Sequence, residues 1–217
     1  MQARSFALWL RTGFALWVAI MVAGCAPVFS DLQSARLAGP GRVEITPGAS
    51  TVYFDSTDES GHVQDHVGVQ AATGMHERVD LRVRYERIDV GGSEPGINVV
   101  GFGPKVGLVK NRLAVAVPVG FAFGGGVDSG ESWEAQPTLL GTLSAGRHTE
   151  FTAAAKYLIP LGAEDADNMV ALNLGMGIGP AGQWLIRPEV GFLWDPGEEG
   201  TFVHLSLGFT FFVGARP

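Results

Sequence analysis

Residues 113–123 sort themselves by parity. Leu113, Val115, Val117, Val119, Phe121 and Phe123 fall on one side, while Ala114, Ala116, Pro118, Gly120 and Ala122 fall on the other. A period of two sends successive side chains to opposite faces of a β-strand, so one face here is bulky and apolar and its reverse nearly bare. Residues 170–179 repeat the pattern, with Val170, Leu172, Leu174, Met176 and Ile178 against Ala171, Asn173, Gly175, Gly177 and Gly179. In a third stretch Val79, Leu81, Val83 and Tyr85 alternate with Asp80, Arg82, Arg84 and Glu86. Cut at its turn residues, the chain gives about ten such strands, over 42–54, 62–75, 79–88, 97–109, 113–124, 134–145, 150–160, 169–179, 184–194 and 201–213. No helical period appears among them, and the fold class is all-β.

The connections carry a second rhythm. Short basic or polar turns, His76–Glu77–Arg78, Lys110–Asn111–Arg112, Gly146–Arg147–His148–Thr149 and Pro180–Ala181–Gly182–Gln183, recur about every 35 residues, the length of two strands, a tight turn and a longer loop. Acidic loops fall midway: Asp55 to Glu59, Glu94, Asp128 to Glu131, Glu164 to Asp167 and Asp195 to Glu199. This is an up-and-down antiparallel meander with acidic loops at one end and basic turns at the other.

The faces decide between lipid and water outside. A Gly/Ala face suits the crowded interior of a small barrel. The bulky faces end in aromatics, among them Tyr85, Phe102, Phe121, Phe123, Phe151, Tyr157, Trp184, Phe192, Trp194, Phe209 and Phe211, as in the interfacial girdles of lipid-embedded barrels. The last strand, Phe202 to Phe212, resembles the aromatic-ended terminal strand that outer-membrane proteins present to their assembly machinery, with Val213-Gly-Ala-Arg-Pro217 added after it. In strand pattern residues 42–217 resemble the small bacterial outer-membrane β-barrel families. The resemblance implies a transmembrane β-barrel in the outer membrane, with loops outward and both strand termini toward the periplasm. A soluble barrel held only by a lipid anchor is the architectural alternative.

The N-terminus reads separately. Arg4 and Arg11 precede an apolar run, Phe14 to Ala23, too short to span a membrane but suited to a signal peptide, here residues 1–24. It closes on Val22-Ala23-Gly24-Cys25, which resembles the lipobox of bacterial lipoproteins. The resemblance implies cleavage before Cys25 and its acylation, and Ala26 in place of an aspartate implies transfer to the outer membrane. Cys25 is the only cysteine, so no disulfide forms. Residues 25–41 read as a lipid-attached tether ending at the breaker Gly39-Pro40-Gly41.

The inward faces collect Glu44, Asp80, Glu86, Glu134, Glu150 and Glu189 beside Arg82, Arg84, Lys105, Lys156 and Arg187. Charges in a low-dielectric lumen are costly unless paired, so these residues are expected to form an ion-pair network that fills a narrow barrel. Prolines 47, 104, 118, 137, 160 and 188 fall in or beside strands, and the pattern alone gives no place for Pro118 and Pro188 in mid-strand.

Other motifs lack their context. His62 and His66, four residues apart, would lie about 13 Å from each other on a strand, with Asp65 on the opposite face, which is poor geometry for a metal. Gly177-Ile-Gly-Pro-Ala-Gly182 matches a dinucleotide fingerprint, but strand rather than helix follows it. There is no Gly-x-Ser-x-Gly elbow. A net charge of −7 without a basic patch argues against nucleic acid. The expectation is a non-enzymatic, monomeric barrel of structural or surface-interaction type, with no cofactor or metal. Its partners would be outer-membrane lipids, lipopolysaccharide and the barrel assembly machinery. A narrow channel for small solutes and an enzyme acting on lipid or lipopolysaccharide stay open as alternatives.

Overall fold

A computed structural model describes residues 28–91, 95–162, 166–180 and 182–214. Cys25 and the signal segment lie outside the described residues, as do Glu94, Glu164 and Asp165 of the acidic loops. Twelve strand segments follow in order: β1 (Arg42–Asp55), β2 (Ser60–His76), β3 (Val79–Val90), β4 (Ile97–Val109), β5 (Leu113–Ala116), β6 (Val119–Phe123), β7 (Glu134–Ala135), β8 (Thr138–Ser144), β9 (Thr149–Pro160), β10 (Met169–Ile178), β11 (Trp184–Trp194) and β12 (Thr201–Gly214). β5 and β6 are one wall crossing broken at Val117–Pro118, and β7 and β8 are another broken at Gln136–Pro137. β1 pairs with β12 and every other crossing pairs with its neighbours in sequence, all antiparallel, which closes a ten-stranded barrel.

The parity read from sequence is the parity of the wall. Ala114, Ala116, Ala122, Ala154 and Ala171 face inward and are buried, while Val67, Val83, Phe102, Leu174, Leu205 and Leu207 face outward and are exposed. In water that outer surface would be an unsupported apolar belt, whereas in a bilayer it is a solvated one. No helix among the described residues is long and apolar enough to cross a membrane.

The prolines sit where ladder hydrogen bonds are already missing, because proline has no N–H to donate. Pro188 keeps its register with Leu207 of β12, but the ladder to β10 skips from Gly175–Glu189 to Ile178–Ile186. Pro47 pairs with Val69 of β2, and the β12 ladder skips past it from Ile45–Phe211 to Gly48–Gly208. Pro118 breaks its strand, and the break is stitched by Val117 N–H donating to Pro104 O at 3.0 Å and Gln136 N–H to Pro118 O at 2.9 Å. Gly103 allows this close approach, since a Cβ there would stand 2.4 Å from Val117 O.

One parity differs from expectation. The β1–β2 register jumps from Val52–Gln64 to Tyr53–His62, leaving Val63 as a bulge. An extra residue inverts the alternation beyond it. His62 therefore shares the outer face with Asp65 and pairs with it at 3.1 Å, while His66 turns inward and is buried.

Candidate functional site

The lumen is occupied by the chain itself. Residues 28–35 and Ala38 are buried inside the barrel, so the stretch read from sequence as a tether is, over its described residues, a lumenal segment. It has no internal repeat of its own. What orders it is the wall, whose inward side chains take up its backbone groups one after another.

At the loop end, Val28 packs with Ile88, Ile97, Val99 and Ala122, and Phe29 with Val52, Leu158, Ala171 and Leu193. Arg84 Nη2 donates to Ser30 O at 2.6 Å and to Ser30 Oγ at 3.0 Å. At mid-depth the Asp31 carboxylate meets Lys156 Nζ at 3.2 Å and accepts from Asn173 Nδ2 at 2.6 Å. Lys156 also donates to Val28 O at 3.1 Å, and Gln70 Nε2 donates to Asp31 O at 2.7 Å. Successive backbone N–H groups of Asp31 and Leu32 donate to the two oxygens of Glu189, at 2.7 and 2.9 Å. Leu32 holds a left-handed φ of 46°, which lets adjacent amides converge as an anion nest. That conformation costs a non-glycine residue about 1–3 kcal/mol and persists when the surroundings over-determine it.

Toward the turn end, Ala35 N–H donates to Thr142 Oγ1 at 2.8 Å, and Lys105 Nζ donates to Ser34 O at 3.1 Å and Arg36 O at 2.6 Å. Arg36 pairs with Glu150 at 2.6 Å, and Ala38 N–H donates to Asp80 Oδ2 at 2.8 Å. Gly39 and Gly41, with φ of 84° and 72°, then reverse the chain into β1.

All eleven wall charges singled out by parity point into this lumen. Some pair with one another: between strands, Arg82 with Glu44 at 3.3 Å, Arg187 with Glu150 at 3.1 Å and Lys105 with Asp80 at 3.9 Å, and along β3, Arg84 with Glu86 at 3.0 Å. Glu134 accepts from Gln136. Lys156 and Glu189 instead find their partners on the segment. The sequence pattern put Asn173 on the inward, small-residue face of its strand but gave no place to Asp31, Arg36, Gln70 or Thr142. One signal was present: the wall neighbours of Lys156 are Thr138 and Ala171, so its countercharge had to come from elsewhere.

Two further features have a chemical look. Ser206 Oγ lies 2.7 Å from His204 Nδ1, and His204 Nε2 lies 3.1 Å from Asn173 Oδ1, which in turn is tied to Asp31. This has the connectivity of a nucleophile, base and orienting amide. Yet His204 is fully buried, with Phe29 at a ring distance of 6.1 Å and Gly191 so close that a Cβ there would stand 2.1 Å from Nε2. The relay reads as hydrogen-bond satisfaction within the packed lumen. The second feature is a cavity of about 60 Å³ between the segment and the β4–β6 wall, floored by Gly101, Gly103 and Gly120 and flanked by Gln33, Arg82 and Glu134. Gln33 Oε1 and Arg82 Nη1 have no hydrogen-bond partner among the described residues. Most of the lining is apolar, including Val28, Val99 and Phe121, and the volume is enough for a few water molecules beside those two polar atoms.

No family model and no curated protein sequence matches the chain. Its architecture does have relatives among solved structures. An outer-membrane channel from Pseudomonas putida F1 superposes with a TM-score of 0.50 at 9% identity, over 85% of this chain and 100% of that one. The translocator domain of the autotransporter NalP from Neisseria meningitidis superposes more loosely, with a TM-score of 0.44 at 9% identity over 80% and 88% of the two chains. Ail, the attachment invasion locus protein of Yersinia pestis, reaches 0.37 at 9% identity over 80% and 99%. The closed wall, its apolar outer belt and the channel superposition agree: the chain has the fold of a bacterial outer-membrane β-barrel.

Proposed function

We propose that this chain is a sealed, non-enzymatic outer-membrane barrel of structural or surface-interaction type, closed by its own N-terminal segment and by the ion pairs that hold it. The observation carrying this reading is the run of bonds from Ser30 to Ala38, in which Arg84, then Lys156 together with Glu189, then Lys105 and then Asp80 grip the segment at four successive levels. A segment held by charge-assisted bonds at many levels is hard to displace, because freeing it leaves several buried charges unpaired. In this reading the outer belt meets outer-membrane lipid, the acidic loops face lipopolysaccharide, the monomer is complete, and β12 carries the signal for the assembly machinery.

Refolded protein in a planar bilayer provides the test. The expected result is silence from the wild type and intermittent openings from Asp31→Ala/Lys156→Ala; steady ohmic steps from the wild type would overturn the sealed reading. A second reading, a narrow path for small solutes, is favoured by the unpartnered Gln33 Oε1 and Arg82 Nη1 at the cavity beside Gly101, Gly103 and Gly120. Those wild-type steps are what it requires.

A further inference from the structure

The two mouths of the barrel carry opposite charge. At the loop mouth Asp58, Glu59, Asp128, Glu131, Glu198 and Glu199 are all exposed. At the turn mouth the exposed cations are Arg78, Lys110, Arg112 and Arg147, and Glu77 is the one exposed acid there among the described residues. Neighbouring basic turns are stitched together. Gly107 N–H donates to Arg78 O at 2.9 Å and Thr142 N–H to Arg112 O at 2.8 Å, each bond reaching the strand that leads into the next turn. The four cations therefore form one arc along the foot of the wall from β2 to β9. Arg36 and Arg42 at the same mouth are already engaged, by Glu150 and by the Phe212 ring. The four residues of the arc make no ion pair among the described residues.

We propose that this arc binds the phosphate groups of anionic glycerophospholipids in the leaflet at the turn mouth. Depth carries the assignment. Leu143 and Met75 are the most exposed large apolar side chains among the described residues, at 71% and 66%, and they stand four and three residues from Arg147 and Arg78. Leu108 and Val109, also exposed, directly precede Lys110. On a membrane barrel such side chains are solvated by acyl chains, so the hydrocarbon zone reaches the foot of these turns. Arg and Lys side chains just beyond it keep their methylene stems in the apolar zone and their charged ends among the headgroups. At that level each cation adds to the attraction for anionic lipid, and with no carboxylate paired to the arc the lipid phosphate is its countercharge. The carboxylates of the loop mouth repel the same lipid, which confines the attraction to one end of the barrel. With the turns toward the periplasm, as the strand pattern implies, the ligand is the glycerophospholipid of the inner leaflet. The inference holds whether or not the lumen conducts, since it uses only the turns and the outer surface.

The test uses the full chain refolded into phosphatidylcholine vesicles that carry a trace of spin-labelled phosphatidylglycerol or spin-labelled phosphatidylcholine. The motionally restricted fraction of each label measures its association with the barrel. Wild type is expected to prefer phosphatidylglycerol roughly threefold. In about 1 M NaCl, where the screening length falls to about 3 Å, the preference should vanish. The variant Arg78→Gln/Lys110→Gln/Arg112→Gln/Arg147→Gln should lose it at low salt, whereas Arg87→Gln at the loop mouth should keep it. Each variant is first checked for folding by heat-modifiable gel mobility, and if the fourfold variant fails to fold, Arg112→Gln and Arg147→Gln take its place, each expected to lower the preference partway. Equal association of the two labels with wild type overturns the proposal and leaves the arc to a soluble acidic partner. A preference that survives in the turn variants, or that Arg87→Gln abolishes, overturns it as well. So does a wild type that takes up lipid A in place of phosphatidylglycerol when both are present at equal charge, since that ligand belongs to the other leaflet.

Discussion

Leu32 stands where the side chain of residue 48 would be: a Cβ built on Gly48 would lie 2.5 Å from Leu32 Cδ1. Gly208, the cross-strand partner of Gly48, leaves a second gap for the same leucine, at 3.2 Å. The two glycines are thus a socket, and the strained backbone of Leu32 is matched to it. Gly48→Val should overpack this socket and destabilise the barrel by about 1–3 kcal/mol. Urea unfolding in lipid vesicles measures the loss. Adding Leu32→Ala should return most of it, and failure of that rescue would place the cost in β1 instead.

Asp31 and Lys156 are both buried and 3.2 Å apart. Lys156→Met leaves the Asp31 carboxylate buried with Asn173 as its remaining side-chain donor, and breaking such a pair costs about 3–5 kcal/mol. The double variant Asp31→Leu/Lys156→Met removes both charges and should recover most of that stability. Unfolding midpoints of the two variants distinguish a pairing effect from a packing effect.

Gly103 faces the break at Pro118, and a Cβ there would stand 2.5 Å from Pro118 Cα. Gly103→Ala should lower stability by about 1–3 kcal/mol through overpacking. Gly101, whose Cβ would meet nothing nearer than 3.8 Å, is the matched control and should accept alanine with little change. Equal losses at the two positions would remove the special role of the Pro118 approach.

Asp195 lies in the loop after β11. Partial burial, followed by the neighbouring carboxylates of Asp167 and Glu198, holds its pKa above the ordinary aspartate value of 3.8. A raised carboxyl binds its proton more tightly in the folded state, so its penalty exists where it is ionised and fades as pH falls toward that value. Asp195→Asn should therefore raise the unfolding midpoint slightly at pH 7 and leave it unchanged near pH 3. A larger gain at the acidic end would reverse the assignment.

The wall was legible because a period-two pattern survives any detail of loop or register: Val115 and Ala116 differ in face whatever their partners are. Where an extra residue enters, the pattern misleads, as at the Val63 bulge that turns His62 outward. Pro188 was opaque because its tolerance depends on which neighbour lacks ladder bonds, a property of two strands at once. The lumenal segment was opaque for a stronger reason. Ser30, Asp31 and Ala35 have no periodic signature, and their order comes from Arg84, Glu189 and Thr142, on three strands far away in sequence. The hint that the interior was incomplete lay in two unmatched charges, Lys156 between Thr138 and Ala171 and Glu189 between Gly175 and Ser206.

The socket for Leu32 lies on the seam where the first and last strands meet, since Gly48 belongs to β1 and Gly208 to β12. The residue that fills this gap belongs to neither strand, so the joint is a three-way one: moving Leu32 from its place would leave a void between two glycines on the line where the wall closes on itself.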